Sequence, residues 1–488
     1  MIRVVLGLGS NAPYGGLEPV ELLSGACREL KKILAAPVFS SLYETKAMYY
    51  ENQQNFYNMA VTGFVDDSAS PFELLDEIHR IEKQFGPNAE KVLLGKLGLK
   101  FGKEYFFEYD ENYVSSFPNP SPLLLRFAPG IQQEQSSRFP SFLVDSLPDG
   151  WGLLLMDKEF RKQGRALREI SYIDRLRYVG NNAMGSLSFS PQESEEFIGK
   201  SLEIIGIEKL NQNALAIFEE DSHDVLETLN RIASSGGSRP KGNLYFSKDL
   251  RLCNESWQPS FDGWIVKFKT HSTVLASEEG VCEYIYAKLA KQAGITLPDT
   301  HLFELSDSRL FAIQRFDRED QRRIFSASAA GLLGADWRLP SLDYEQLIRL
   351  AYPLTRSNTP TREIFRRMIF NLFSGNQDDH AKNWNFLQDD SGNWSLSPAF
   401  DITFSPNPYY EHSTSFKGFE KAPSKEAILN LAKLAGEDKP FAVIKEVVDA
   451  VENFPQLAKQ YSVKPAAIKE VTKVLNELYN QNKGLLKG

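Results

Sequence analysis

The stretch GNQDDHAKNW, Gly375 to Trp384, gathers two carboxylates, an imidazole, an ammonium and a carboxamide into one short segment. Asp378 is followed five residues on by Asn383. Two short strand-like runs come next, NWNFL and NWSLS, joined through QDDSG, and then PAFDI with Asp401. A phosphoryl-transfer site needs groups in this order: a carboxylate to accept the proton of an attacking hydroxyl, then an Asn and a second Asp to hold magnesium across phosphates. Taken singly, the same residues also suit a helix cap, a solvated lysine and an Asx turn, but those readings leave the order unexplained.

Other elements must bring phosphates to that loop. TREIFRRMIFNLF places Ile364, Phe365, Met368, Ile369, Leu372 and Phe373 on one face of a helix that starts at Thr359 and Pro360 and delivers the loop. Farther upstream, RIASSGGSRPKGNLYFS sets Gly236 and Gly237 between strand-like segments, where backbone N–H groups can approach phosphates. A hairpin turn is the commoner use of such glycines. GWIVKFKT then carries Lys267 in an alternating strand, and alternation alone leaves open which face the lysine takes. An inward lysine can pair the α and β phosphates, with Glu283 in EYIYAKLAKQ as a candidate partner.

At 488 residues the chain is expected to divide into two or three domains. A net charge of −9 excludes the overall positive field of a nucleic-acid-binding protein. Cys27, Cys253 and Cys282 are too few and too scattered for a disulfide framework or a zinc site. No apolar run is long enough to span a bilayer and the amino terminus lacks the marks of a signal peptide, so a cytoplasmic location with no membrane association is expected. The pattern from Ile2 to Gly86 reads strand, helix, strand, strand, helix, with Ser70 as N-cap of the second helix. A β-rich stretch begins near Lys91, and beyond Tyr344 the chain is mainly helical, ending in the amphipathic PAAIKEVTKVLNELYNQNKG.

From about Lys91 to its end the chain resembles the HipA family of serine/threonine kinases, the toxin halves of bacterial toxin–antitoxin pairs. The resemblance rests on DSLPDGWG, YVGNNAMGSLSF, SSGGSRPK, WIVKF, IQRFDR, NQDDHAKNWNF and LSPAFD, in that order. It implies an α+β, kinase-like two-lobed fold, with a β-rich amino-terminal lobe over residues 91–320 and a helical carboxy-terminal lobe over 321–488. It implies Asp378 as catalytic base, Asn383 and Asp401 as magnesium ligands, and Lys267 as the phosphate-binding lysine. Gly236, Gly237, Ser238, Arg239, Pro240 and Lys241 fall on the phosphate loop. Gln314, Arg315 and Phe316 fall on the connector that borders the adenine, and His380, Ala381, Lys382, Asn383 and Phe400 on further nucleotide contacts. Ser234 matches the serine whose autophosphorylation switches family members off. Asp379 receives no role.

The same resemblance implies ATP and Mg2+ as cofactors and a protein substrate, an aminoacyl-tRNA synthetase being the family's example. It also implies a small helix-turn-helix antitoxin as partner, through which alone DNA would be reached. A small-molecule kinase would use the same Asp, Asn and Asp. A non-catalytic scaffold is the remaining alternative, and the intact set Lys267, Asp378, Asn383 and Asp401 argues against it.

Residues 1–86 resemble the amino-terminal half of 6-hydroxymethyl-7,8-dihydropterin pyrophosphokinase through LGLGSN, SSLYETKAMYYENQQNFYNMAV and ELLDEIHRIEKQFG. This implies a partial ferredoxin-like βαββα unit, with Thr45, Phe56 and Asn58 at a pterin pocket and Glu82 near a nucleotide. The family's arginine-rich loop and paired metal-binding Asp-x-Asp should follow, and neither does. Pyrophosphoryl transfer without those carboxylates loses its main charge-stabilising element. The chain is therefore expected to release no AMP with hydroxymethyldihydropterin as acceptor. A version lacking residues 1–86 should retain phosphotransfer in an assay with labelled ATP, and its loss from a folded truncated chain would make the segment a working part.

Overall fold

The structure, a computed structural model, describes residues 1–10, 17–45, 55–67, 70, 74, 77–78, 80–81, 91–135, 137, 139–193, 207, 211, 214, 239–255, 257, 261–269, 275, 278–306, 308–319, 322–336 and 338–487. Its first sheet combines β1 (Ile2–Ser10), β2 (Ala35–Phe39), β3 (Tyr43–Thr45) and β4 (Phe56–Val65), in the order β1-β4-β2 with β3 also on β4. β1 and β4 run antiparallel from Ile2 opposite Val65 to Ser10 opposite Tyr57. Strand alternation turns Val4, Leu6 and Leu8 toward α1 (Pro19–Ile33), whose Leu30 joins Leu34 and Val61 in a small core of the segment's own. Pro19 at the first turn, a Glu18/Glu21 capping box and Lys31 and Lys32 in the last turn mark where α1 begins and ends. Most of the helix that Ser70 would cap lies outside the described residues.

The next unit is a three-stranded antiparallel sheet, β5 (Gly95–Lys100), β6 (Glu104–Tyr109) and β7 (Gly130–Gln132), packed through Tyr105, Phe107, Tyr109 and Phe142. Two helices follow, α2 (Gly150–Lys162) and α3 (Tyr172–Val179). A five-stranded sheet comes after them, comprising β8 (Lys241–Ser247), β9 (Cys253–Asn254), β10 (Phe261–Lys267), β11 (Thr300–Glu304) and β12 (Arg309–Gln314). Its order is β11-β12-β10-β8-β9. On one face Leu244, Phe246, Trp264, Val266, Leu310 and Ala312 pack against Trp151 and Leu155 of α2. Helix α4 (Glu279–Gln292) packs against β11 and β12.

The helical region is built around α6 (Asn358–Ser374), whose Ile364, Phe365, Met368, Ile369 and Phe370 are fully buried. It starts one or two residues earlier than the sequence suggests, because Ser357 accepts a hydrogen bond from the Thr359 amide and acts as the N-cap. Around α6 stand α5 (Tyr344–Thr355), α7 (Lys425–Ala435), α8 (Pro440–Val451) and α10 (Pro465–Asn482), with the short α9 (Phe454–Gln460) between the last two. QDDSG forms the expected turn between β14 (Asn385–Gln388) and β15 (Trp394–Leu396), and β13 (Phe325–Ser328) completes that sheet. A strand-rich part thus precedes a helical one. Among the described residues no helix is long and apolar enough to cross a membrane.

A buried ion cluster joins the parts. Asp317 accepts two bonds from Arg315, at 2.9 and 2.7 Å, one from Arg318 at 2.8 Å and one from the Gly185 amide at 2.7 Å. Burial alone would raise its pKa, but Arg315 and Arg318 hold it far below the usual carboxylate range. Arg323 then donates to the carbonyls of Asn181, Ala183, Gly185 and Leu187, which fastens the segment YVGNNAMGSLSF against the strands. Arg323→Ala would take the side-chain donor from the Asn181 and Leu187 carbonyls, whereas those of Gly185 and Ala183 would keep Arg318, and should cost about 2 kcal/mol of stability. Urea denaturation would measure it, and a loss under about 1 kcal/mol would mean that water replaces the guanidinium.

Candidate active site

β8 and β10 place Lys241 directly opposite Lys267 on one face of the sheet, and both side chains are buried. Two ammonium groups side by side repel, so such a pair requires anions nearby. Lys267 Nζ bonds to Glu283 of α4 and to Asp401, and the two carboxylates keep the lysine charged although burial alone would favour its neutral form. Lys241 is less compensated. Burial lowers its pKa, Lys267 adds to the fall, and Asp401 opposes it. Arg239 lies 3.6 Å from Glu283 and 4.0 Å from Glu279. The face therefore concentrates three cations around Asp401.

Asp401 stands beyond β15 with φ of +55°, a left-handed conformation that Asp adopts more readily than most side chains. Burial would push its pKa up, but Lys267 and Lys241 hold it well below the ordinary value. Asp378 is different. Its side chain is 61% exposed, and His380 Nε2 lies 3.7 Å away. Withdrawal of water by the surrounding protein raises its pKa; His380 pulls it down, and Asp401 and Asp379 add repulsion. Asn383 Nδ2 donates to the Asp378 carbonyl at 2.6 Å, which leaves the carboxamide oxygen as an acceptor.

The loop is held from behind. Gly375, with φ of +70°, ends α6, and a Cβ there would come within 3.1 Å of Leu478. Asp379 is buried and accepts from Tyr344 Oη at 2.5 Å and from the Thr414 amide at 3.1 Å, with His412 Nδ1 at 3.0 Å. Its own carbonyl accepts from Trp384 Nε1 and Thr414 Oγ1. Asn371 donates to Tyr344 Oη, Asn376 donates to Asn371, and Ser405 Oγ donates to Asn376 while accepting from the Asp378 amide. Asp379 therefore anchors the loop, a role its sequence position beside Asp378 did not reveal.

Of the other residues singled out in the sequence, Lys382 is tied to Asp149 at 2.7 Å. Arg315 is spent on Asp317, so its side chain is structural. The Gln314 amide donates to the Asp299 carbonyl, and the Phe316 and Phe400 rings lie 5.4 Å apart. Ala381 is buried in the turn that carries Asn383. Ser234, Gly236, Gly237, Ser238 and Glu82 lie outside the described residues, whereas Asn58 of the first segment donates to Thr45 at 2.9 Å. The motif DSLPDGWG carries no chemistry legible from its sequence alone. Asp145 accepts from the Ser328 amide and hydroxyl, both at 2.6 Å, and Asp149 holds Lys382, so that motif braces the loop from the strand-rich side.

α4 is fastened at its start. Arg309 donates to Glu278 at 2.6 Å and to the Tyr461 carbonyl at 2.5 Å, and Lys464 Nζ lies 3.6 Å from Glu278.

A strand-borne lysine paired to a helix glutamate, beside a loop carrying Asp378, Asn383 and Asp401, is the arrangement of a kinase-like fold. Residues 88–190 match the HipA N-terminal domain and residues 233–460 the HipA-like C-terminal domain, together well over half of the sequence, and the chain belongs to the HipA family. Residues 5–95 match 7,8-dihydro-6-hydroxymethylpterin-pyrophosphokinase. The serine/threonine-protein kinase toxin HipA of Shewanella oneidensis is 22% identical over 348 residues, 62% of this chain and 75% of that one. The 2-amino-4-hydroxy-6-hydroxymethyldihydropteridine pyrophosphokinase of Aquifex aeolicus is 36% identical over 86 residues, 18% of this chain and 50% of that one. A Sinorhizobium fredii relative is 28% identical, and the chain spans only 50% of its length. The solved complex of Shewanella oneidensis HipA with HipB and operator DNA shares the fold, with a TM-score of 0.59 and 18% identity, covering 81% of this chain and 96% of that chain.

Asp379→Asn would replace one of two acceptor oxygens with a donor, leaving either the Tyr344 hydroxyl or the Thr414 amide facing an NH2 group. It should cost about 2 kcal/mol of stability, and Tyr344→Phe about 1 kcal/mol. Thermal and urea unfolding of the two variants would report this, and unchanged midpoints would remove Asp379 as the anchor.

Proposed function

We propose that the chain is an ATP- and Mg2+-dependent serine/threonine protein kinase, a growth-arresting toxin held in check by a small helix-turn-helix antitoxin. The observation that carries the reading is the buried Lys267 shared by Glu283 and Asp401, next to the loop of Asp378 and Asn383. Lys267, with Lys241 and Arg239, would hold the phosphates. Phe316 and Phe400 would border the base. Asp378 would accept the proton of the substrate hydroxyl, and its exposure suits a group that must meet an incoming protein. The Asp401 carboxylate and the free carboxamide oxygen of Asn383 form the hard oxygen set that magnesium takes, the remaining ligands being phosphates and water. Held there, magnesium would offset charge that develops on the transferred group. The antitoxin is supported by the composition of the Shewanella oneidensis complex, and a synthetase substrate by family resemblance alone.

Incubating the protein with labelled ATP, magnesium and a cell extract tests this. Label should enter a protein band and, by mass spectrometry, Ser234 of the chain itself, where about −1.5 to −2 charges would repel nucleotide phosphates. Asp378→Asn, which keeps the shape but cannot accept a proton, should lower the rate at least about a hundredfold, and Asp401→Ala should abolish magnesium-dependent ATP binding. Because the Asp378 pKa is raised, the acid limb of the rate profile should lie above the ordinary aspartate value, with activity falling as pH drops through it. Label entering only small molecules would make the chain a small-molecule kinase.

A further inference from the structure

A groove of about 840 Å³ runs between α9 and α10, and none of its lining residues belongs to the site around Asp401. Its walls are largely apolar, with Pro455, Val463, Pro465 and Ile468 among them, and Lys459, Lys469 and Lys473 stand along it. Among the described residues no ion pair engages these three lysines, on a chain whose net charge is −9. The groove's acid, Glu477, is already an acceptor, from Tyr410 Oη at 2.9 Å. Thr472 Oγ1, in the groove wall, is buried without a hydrogen-bond partner.

From Pro465 to Asn480 the groove follows α10 for about 22 Å, the length of a helix of roughly four turns. That length suits a chain segment better than a compact small molecule. Three ammonium groups against the single carboxylate of Glu477 select for added carboxylates, and the apolar walls select for aliphatic anchors between them.

We propose that the α9–α10 groove is a docking site for an acidic amphipathic helix of a partner protein, with carboxylates meeting Lys459, Lys469 and Lys473 and aliphatic side chains lying on Pro465 and Ile468. The groove shares no residue with the cluster around Asp401.

The test uses the full chain and a fluorescein-labelled 16-residue amphipathic peptide with glutamates on one face and leucines on the other. Its controls are the same peptide with lysines for glutamates and a 20-base-pair DNA duplex. The acidic peptide should bind by fluorescence anisotropy, and its addition should slow amide exchange in residues 455–480. Lys469→Glu with Lys473→Glu, both at exposed positions, should weaken binding roughly tenfold or more. Ile468→Asp should weaken it without altering the unfolding midpoint by more than a few degrees. Failure of the acidic peptide to bind, indifference of its binding to the charge reversals, or lysine-dependent binding of the duplex instead would each overturn the proposal.

Discussion

Everything at the site turns on where one charge is kept. Lys267 is buried, and a buried ammonium is stable only when anions meet it at bonding distance. One of its two carboxylates comes from α4 and the other from the segment after β15, more than a hundred residues later. The strand, the helix and the post-hairpin segment must therefore be in place together before any of them is stable there. Lys241 raises the stakes, because burial and the neighbouring Lys267 both work against its charge, whereas Glu283 and Glu279 keep Arg239 charged. A surface organised this way prefers a polyanion to water.

The loop beside it is organised by the opposite rule. Asp378 remains exposed while Asp379, its neighbour, is sealed in a net of hydroxyl, amide and imidazole groups. Adjacent residues of identical chemistry thus divide the work, one fixing the backbone so that the other can be free. The brace from Asp149 to Lys382 holds the loop from its other side. Rigidity behind and exposure in front are what a positioned proton acceptor needs.

Much of this could be read in advance where it is written linearly. The order Asp378, Asn383, hairpin and Asp401 lies within a short stretch, and the hairpin and the apolar face of α6 follow from local periodicity. The side that Lys267 faces could not be read, since alternation gives a strand's period but leaves its inner face to packing. Nor could the fate of Arg315, because its partner two residues on gains its strength from burial that only the folded chain supplies. Asp145 and Asp149 were visible as a motif, but their partners Ser328 and Lys382 are far off in sequence, and spacing carries no information across such distances. The start of α6 moved to Ser357 because a serine hydroxyl outcompetes a nearby proline as a terminus signal.

The fastening of α4 has a mechanical side. Glu278 is gripped by Arg309 and approached by Lys464, and the same arginine holds the Tyr461 carbonyl in the turn between α9 and α10. Glu283 lies five residues on from Glu278, about 7.5 Å along the helix axis. A helix is stiff over that distance, so a shift of the 461–464 turn would arrive at Glu283 nearly undiminished. The turn is a tether on a lever whose short arm ends at the lysine's counter-ion. The chain's last helices are thereby in mechanical register with the sheet that carries Lys267, and strain applied at the far end of the molecule would be felt as a change in how tightly one ammonium group is held.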